Sequence, residues 1–120
     1  MIQILDGFPD NVVACAAVGR VTKADYDDVL VPAVERALGR SEKIRCYYEV
    51  GSEFSGFDPG ALWADAKVGL EHLARWERVA FVTDVEWLTL AANAFRFLMP
   101  GNVRVFSMSQ AAEAKAWVRA

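Results

Sequence analysis

Residues 51–84 read GSEFSGFDPGALWADAKVGLEHLARWERVAFVTD, and this stretch decides the fold. It divides into a loop, a long helix and a buried strand. Gly51-Ser52-Glu53-Phe54-Ser55-Gly56-Phe57-Asp58 carries the glycine, serine and aspartate of an exposed loop. Asp58 suits an N-cap, and Pro59 is preset for the first helical turn. Leu62, Ala66, Leu70 and Leu73 then recur at helical spacing, which predicts a helix from Pro59 to about Trp76 with that stripe in the core. Gly69 falls on the same stripe. A glycine inside a helix costs about 1 kcal/mol against alanine, so it marks close approach of a neighbouring backbone. Val79 to Val82 is the short, wholly apolar run of a strand covered on both faces.

The flanks extend this unit in both directions. Ile44 to Val50 alternates with period two: Ile44, Cys46, Tyr48 and Val50 face one way, and Arg45, Tyr47 and Glu49 the other. Before it, Thr22 and Asp25 form a capping-box variant, and Tyr26, Val29, Leu30, Ala33, Ala37 and Leu38 define the buried face of a first helix. Pro32 lacks the N–H that would reach Asp28, so a kink or restart is predicted there. Gly39 is placed to end the helix at C′. At the start, Met1–Leu5 and Val12–Val18 read as two strands of an edge hairpin, joined through Asp6-Gly7 and Pro9-Asp10-Asn11.

After Asp84 a third helix is predicted from Glu86 to Leu98. Leu88, Ala91, Ala92, Phe95 and Met99 form one apolar stripe, and Trp87, Leu90, Ala94 and Phe97 a second. A helix apolar on most of its circumference is buried on more than one side. Pro100-Gly101 stops it, Val103–Ser107 is a fifth strand, and Ser109 opens a last helix through Trp117 and Val118. The order is β-β-α-β-α-β-α-β-α. It predicts an α/β fold over residues 1–120 as one domain, with a mixed, mostly parallel five-stranded sheet flanked by four helices.

Composition narrows the function. The 120 residues are 54% hydrophobic with four tryptophans, a surplus that must enter a dense core, a subunit interface or a ligand pocket. The net charge of −3 and scattered basic residues argue against nucleic acid. No signal peptide or membrane span is legible, so a cytoplasmic protein is expected. Cys15 and Cys46 read as buried thiols.

The residues that carry chemistry are few. His72 is the lone histidine, and no carboxylate lies three or four positions away to orient it. One histidine and two separated cysteines make no metal site, and no cofactor is implied. Gly51 to Gly56 has the spacing that opens a phosphate-binding loop, but Phe57-Asp58 replaces its lysine and hydroxyl. Glu49 and Asp84 lie at the carboxyl ends of two strands, where open α/β sheets bind ligands and where two carboxylates can exchange protons. Phe54, Phe57, Trp63 and Trp87, with Asp65, Lys67 and Asp84, compose a candidate binding surface. Leu90 and Phe97, on the second stripe of the third helix, are the candidate contacts of a homodimer.

Several pieces in this order resemble the SpoIIAA-like branch of the STAS domains (sulfate transporter and anti-sigma-factor antagonist). They are Ala24-Asp25-Tyr26 with Pro32-Ala33-Val34-Glu35, and Trp63-Ala64-Asp65-Ala66-Lys67. Arg78 to Asp84 with Trp87, Val103-Arg104-Val105-Phe106 and Glu113 to Val118 complete the set. The resemblance implies a non-catalytic α/β module that works through protein partners or regulation. It also implies kinship with lipid-binding CRAL-TRIO (Sec14-like) domains, and so an alternative role as carrier of a small apolar or lipid-like ligand between the second and third helices. In anti-sigma-factor antagonists a serine at the start of the second helix is phosphorylated. Here that helix starts Asp58-Pro59-Gly60-Ala61 without a hydroxyl, which leaves Ser52 and Ser55, upstream, as the candidate phosphorylation sites.

Overall fold

The computed structural model describes residues 1–120. Its sheet contains β1 (Ile2–Ile4), β2 (Val12–Val21), β3 (Ile44–Phe57), β4 (Trp76–Thr83) and β5 (Asn102–Phe106), side by side in chain order. β1 is antiparallel to β2, and the other neighbours are parallel. The mixed five-stranded sheet of the sequence reading is therefore present. With the strands in chain order, no reversal opens a crevice between parallel neighbours.

The first helix, α1, has three parts: Lys23–Asp25, a π-helical turn Tyr26–Leu30, and Val31–Arg40. Thr22 and Asp25 form the expected reciprocal capping box. The predicted restart takes the form of the π turn, in which the Val31 N–H bonds the Tyr26 carbonyl. Pro32 then sits in the first turn of the last part, where a missing N–H costs nothing. Gly39 does not cap α1. It lies inside the helix, and the Ser41 N–H closes the end on the Ala37 carbonyl at 3.0 Å.

The largest departure from the sequence reading is at residues 51–57. They are not a loop: β3 continues to Phe57, past its last pair with β4 at Val50–Thr83, and joins an equally extended β2. Phe54 pairs Gly19 and Phe57 pairs Val21 across an irregular register. Gly19 (φ 62°) and Gly56 (φ 143°) take backbone conformations that side-chain-bearing residues avoid. Glycine and serine hide the period-two signal here, and the pairing is supplied from a distant strand.

The second helix, α2, spans Pro59–Glu71, shorter than expected. A 3₁₀ turn, Leu73–Arg75, follows, and Trp76 already belongs to β4. Its buried positions are Ala61 and Ala64, with Val68 half-buried, while Leu62 and Leu70 are exposed. The helix thus lies on its small residues rather than on its leucines. Gly60 packs where a Cβ would meet the Lys23 side chain at 3.3 Å, and Gly69 where it would meet the Phe95 ring at 3.3 Å, a side chain rather than a backbone. Asp58 occupies the N-cap, but only its backbone carbonyl accepts from the helix; its carboxylate pairs with Arg20 instead.

The third helix, α3, is Glu86–Arg96. Its first apolar stripe faces the sheet, but Trp87, Leu90 and Phe97 of the second stripe are exposed within this chain. The turn after it is held at Gly101, where a Cβ would lie 2.4 Å from the Trp76 carbonyl oxygen. Ser107 with Gln110, rather than Ser109, caps the 3₁₀ turn Met108–Gln110 that leads into α4 (Ala111–Arg119).

Two cores result. Ile2, Val13, Cys15, Cys46, Tyr48, Val79 and Val103 point toward α1, α2 and α3. Val12, Ala14, Tyr47, Ala80, Val82 and Phe106 point toward Ala114 and Val118 of α4. Both cysteines are free and buried in the first core, as expected.

Candidate ligand cavity

Between the sheet and the helices α2 and α3 lies a cavity of about 370 Å³. That falls within the range of ligand pockets. Eighteen of its 21 lining residues are hydrophobic. The floor is Cys46, Tyr48, Val50, Val79 and Phe81 from the sheet. Asp65, Val68 and Leu70 come from α2, and Leu88, Ala92 and Phe95 from α3. Leu70 and, just beyond α3, Leu98 line the cavity and are also exposed, so they belong to its rim.

One polar cluster interrupts this wall. The Tyr26 hydroxyl donates to Asp65 Oδ1 at 3.0 Å and lies 2.7 Å from the Tyr48 hydroxyl. Tyr26 stands at the start of the π turn, a helix irregularity often found at functional sites. Asp65 is exposed by surface area, yet its carboxyl group is ringed by protein. Asp65 is a lining residue of the cavity. Burial pushes its pKa up to about 6, against the lowering effect of the Tyr26 hydrogen bond. Burial, with the Asp65 charge adding, also raises both tyrosines and holds them neutral. Of the two other polar contributors, Thr83 Oγ1 accepts from the Val85 N–H at 3.0 Å, and Trp76 carries a buried indole N–H that meets no acceptor.

The residues singled out from sequence separate into three groups. Phe57 and Asp65 line the cavity; Phe54 packs against Phe57 with tilted rings, centroids 4.8 Å apart, and Trp87 meets Phe57 edge-on at 6.0 Å. Trp63 is 70% exposed, and Lys67 faces Glu71 at 3.7 Å on the outer side of α2. Asp84 does not line the cavity; it accepts the Met108 N–H at 3.1 Å. Glu49 accepts the Tyr47 hydroxyl at 2.7 Å on the sheet face away from the cavity. Ser52 and Ser55 are exposed on the β3 extension. His72 is half-buried at the end of α2, outside the cavity. The sequence reading placed Tyr26 and Tyr48 in the core and missed their polar ends. The available signal was chemical: a buried tyrosine hydroxyl needs a partner.

Residues 12–119 match the SpoIIAA-like family. The chain belongs to the SpoIIAA-like family. Among solved structures, it is similar to an uncharacterized protein of the DUF3478 family with a SpoIIAA-like fold from Shewanella loihica PV-4. The two share 28% sequence identity with a TM-score of 0.73, over 98% of this chain and 92% of that one. None of the curated proteins compared with the chain matches it. No helix of this SpoIIAA-like chain is long and apolar enough to cross a membrane.

Proposed function

We propose that this chain is a non-catalytic binding module whose cavity takes a small apolar molecule. The observation that carries the reading is the 370 Å³ space itself, with hydrophobic side chains at 18 of 21 lining positions and a single ionisable carboxyl. Well-packed interiors hold few voids larger than a water molecule. A volume of this size would take about a dozen water-sized groups at roughly 30 Å³ each. Purified protein titrated with N-phenyl-1-naphthylamine should give a saturable rise in fluorescence, and Ala92→Phe, which fills the cavity, should abolish it. A linear, non-saturating response of the wild type overturns the reading.

A second reading, protein interaction through self-association, is favoured by the second stripe of α3. Leu90 is 64% exposed and Phe97 91% exposed. Apolar side chains this open, on the helix that also exposes Trp87, suit the interface of a symmetric dimer. Light scattering should then give a dimer that Leu90→Glu or Phe97→Glu converts to monomer. Mutants that keep the wild-type mass remove this reading without touching the first.

A further inference from the structure

The polar end of the cavity is assembled from three elements: Tyr26 of α1, Tyr48 of β3 and Asp65 of α2. Each phenol has one proton to give. Tyr26 spends its proton on Asp65 at 3.0 Å. The 2.7 Å contact between the two hydroxyls must then use the proton of Tyr48. Donation therefore runs from Tyr48 to Tyr26 to Asp65, and both protons are turned toward the carboxylate. What the cluster has left to offer is lone pairs, on the Tyr48 oxygen and on Asp65 Oδ2. No cation balances the carboxylate, since the ion pairs of the chain hold other acids.

Resting on the reading of the cavity as a ligand site, we infer that its occupant is a small apolar molecule whose polar end donates hydrogen bonds, an alcohol or a protonated amine, and that the Tyr26–Tyr48–Asp65 seat rejects a carboxylate. A donor head completes an acceptor that the protein leaves open. A carboxylate head brings a like charge directly against Asp65, and two adjacent carboxylates disfavour each other's ionised form. Sites built to hydrogen-bond a particular group discriminate strongly against analogues that leave it unpaired.

The state of Asp65 sets the pH range of this selectivity. With its pKa pushed up by burial to about 6, it is ionised at pH 8 and mostly protonated at pH 5. The titratable groups around it are Cys15 of β2, Cys46 and Tyr48 of β3, and Tyr26 of α1. Burial raises all four, Cys46 to about 12, so all stay neutral across that range. The lining residues of α3 carry no charge, and on α2 Lys67 is engaged with Glu71. Protonated Asp65 becomes a donor, and the exclusion of a carboxylate weakens.

The test is calorimetric titration of the purified chain with octanol, octylamine and octanoate at pH 8 and pH 5. At pH 8 both donors should bind at least roughly tenfold more tightly than octanoate. Asp65→Asn should bring octanoate to within roughly threefold of octanol, because the like charge is gone. If that variant does not fold, wild type titrated with octanesulfonate, which stays ionised from pH 8 to pH 5, reads the Asp65 carboxyl alone, and its gap from octanol should narrow at pH 5. Either donor binding no better than octanoate at pH 8 overturns the inference while leaving the apolar cavity in place. If none of the three binds, and N-phenyl-1-naphthylamine does not saturate either, the fault lies with the cavity reading itself.

Discussion

The face of the sheet under α4 and the face under α1, α2 and α3 bury similar side chains by different means. Under α4 the contact is direct. Tyr47, Ala80, Val82 and Phe106 meet Ala114 and Val118 directly. Arginines then tie the C-terminal carbonyls of α4 to the sheet: Arg45 reaches Val118 and Ala120 at 2.9 and 2.8 Å, and Arg78 reaches Trp117 at 2.7 Å. These are the carbonyls a helix end leaves without partners, and a cation there also suits the helix dipole. On the other face, three helices cover a wider area, and the cavity remains between the sheet, α2 and α3. The difference teaches where a ligand would be tolerated. One face is held by backbone-directed hydrogen bonds that leave no room, and the other by side chains that stand apart.

Truncation should expose this contrast most strongly. Phe106→Ala, under α4, should cost about 3–5 kcal/mol in urea unfolding, since a filled core collapses only partly around a new hole. Leu88→Ala, on the cavity wall and already half-exposed, should cost about 2 kcal/mol or less, because fewer packed neighbours are lost. Equal losses would mean that the open face is closed in solution.

The next effect is at the turn that returns the chain from α3 to the sheet. Gly101→Ala would place a Cβ 2.4 Å from the Trp76 carbonyl and 2.7 Å from that of Glu77. Backbone cannot yield as a side chain can, so a loss of about 1–3 kcal/mol is expected. Gly69→Ala, which meets only the Phe95 ring, should be milder. A reversal of that order would show α2 and α3 to be the more rigidly held part.

The two faces were not equally legible in the sequence. The alternation of Ile44, Cys46, Tyr48 and Val50 against Tyr47 assigned both faces of β3 correctly, because a period of two is local. The capping box of Thr22 and Asp25 was legible for the same reason. The β3 extension was not, since Gly51 to Phe57 becomes a strand through its pairing with Gly19 to Val21. The facing of α2 was also missed. Leu62 and Leu70 have the stronger hydrophobicity, but the helix packs closely on α1, where Gly60 lies against Lys23, and buries Ala61 and Ala64. Of the residues singled out, Phe57 and Asp65 line the cavity, while the hydroxyls of Tyr26 and Tyr48 were hidden because the one was read as a buried helix face and the other as a strand face.

The smallest effect is expected from the charge on Asp65, and its sign separates it from the other perturbed carboxyl. For Asp65 the folded pKa of about 6 lies above the ordinary 3.8. Between those values the folded chain holds more protons than the unfolded one, so stability falls as pH rises and the loss is complete above about 6. Asp25 behaves oppositely. Burial alone would raise its pKa, but hydrogen bonds from Thr22 and the nearby N-terminal ammonium outweigh it and lower it from 3.8. Its contribution is present above 3.8 and is lost as pH falls through the folded value. Urea unfolding across pH should therefore show a declining limb between about pH 4 and pH 6 that Asp65→Asn removes, and an acid limb below it that the substitution leaves intact. Because the Asp65 carboxyl meets solvent in the cavity, the decline should be shallower than a sealed carboxyl would give. A wild-type profile flat from pH 4 to pH 6 would mean that water fills the space freely enough to solvate the charge, and the open face would then be a cleft rather than an apolar pocket.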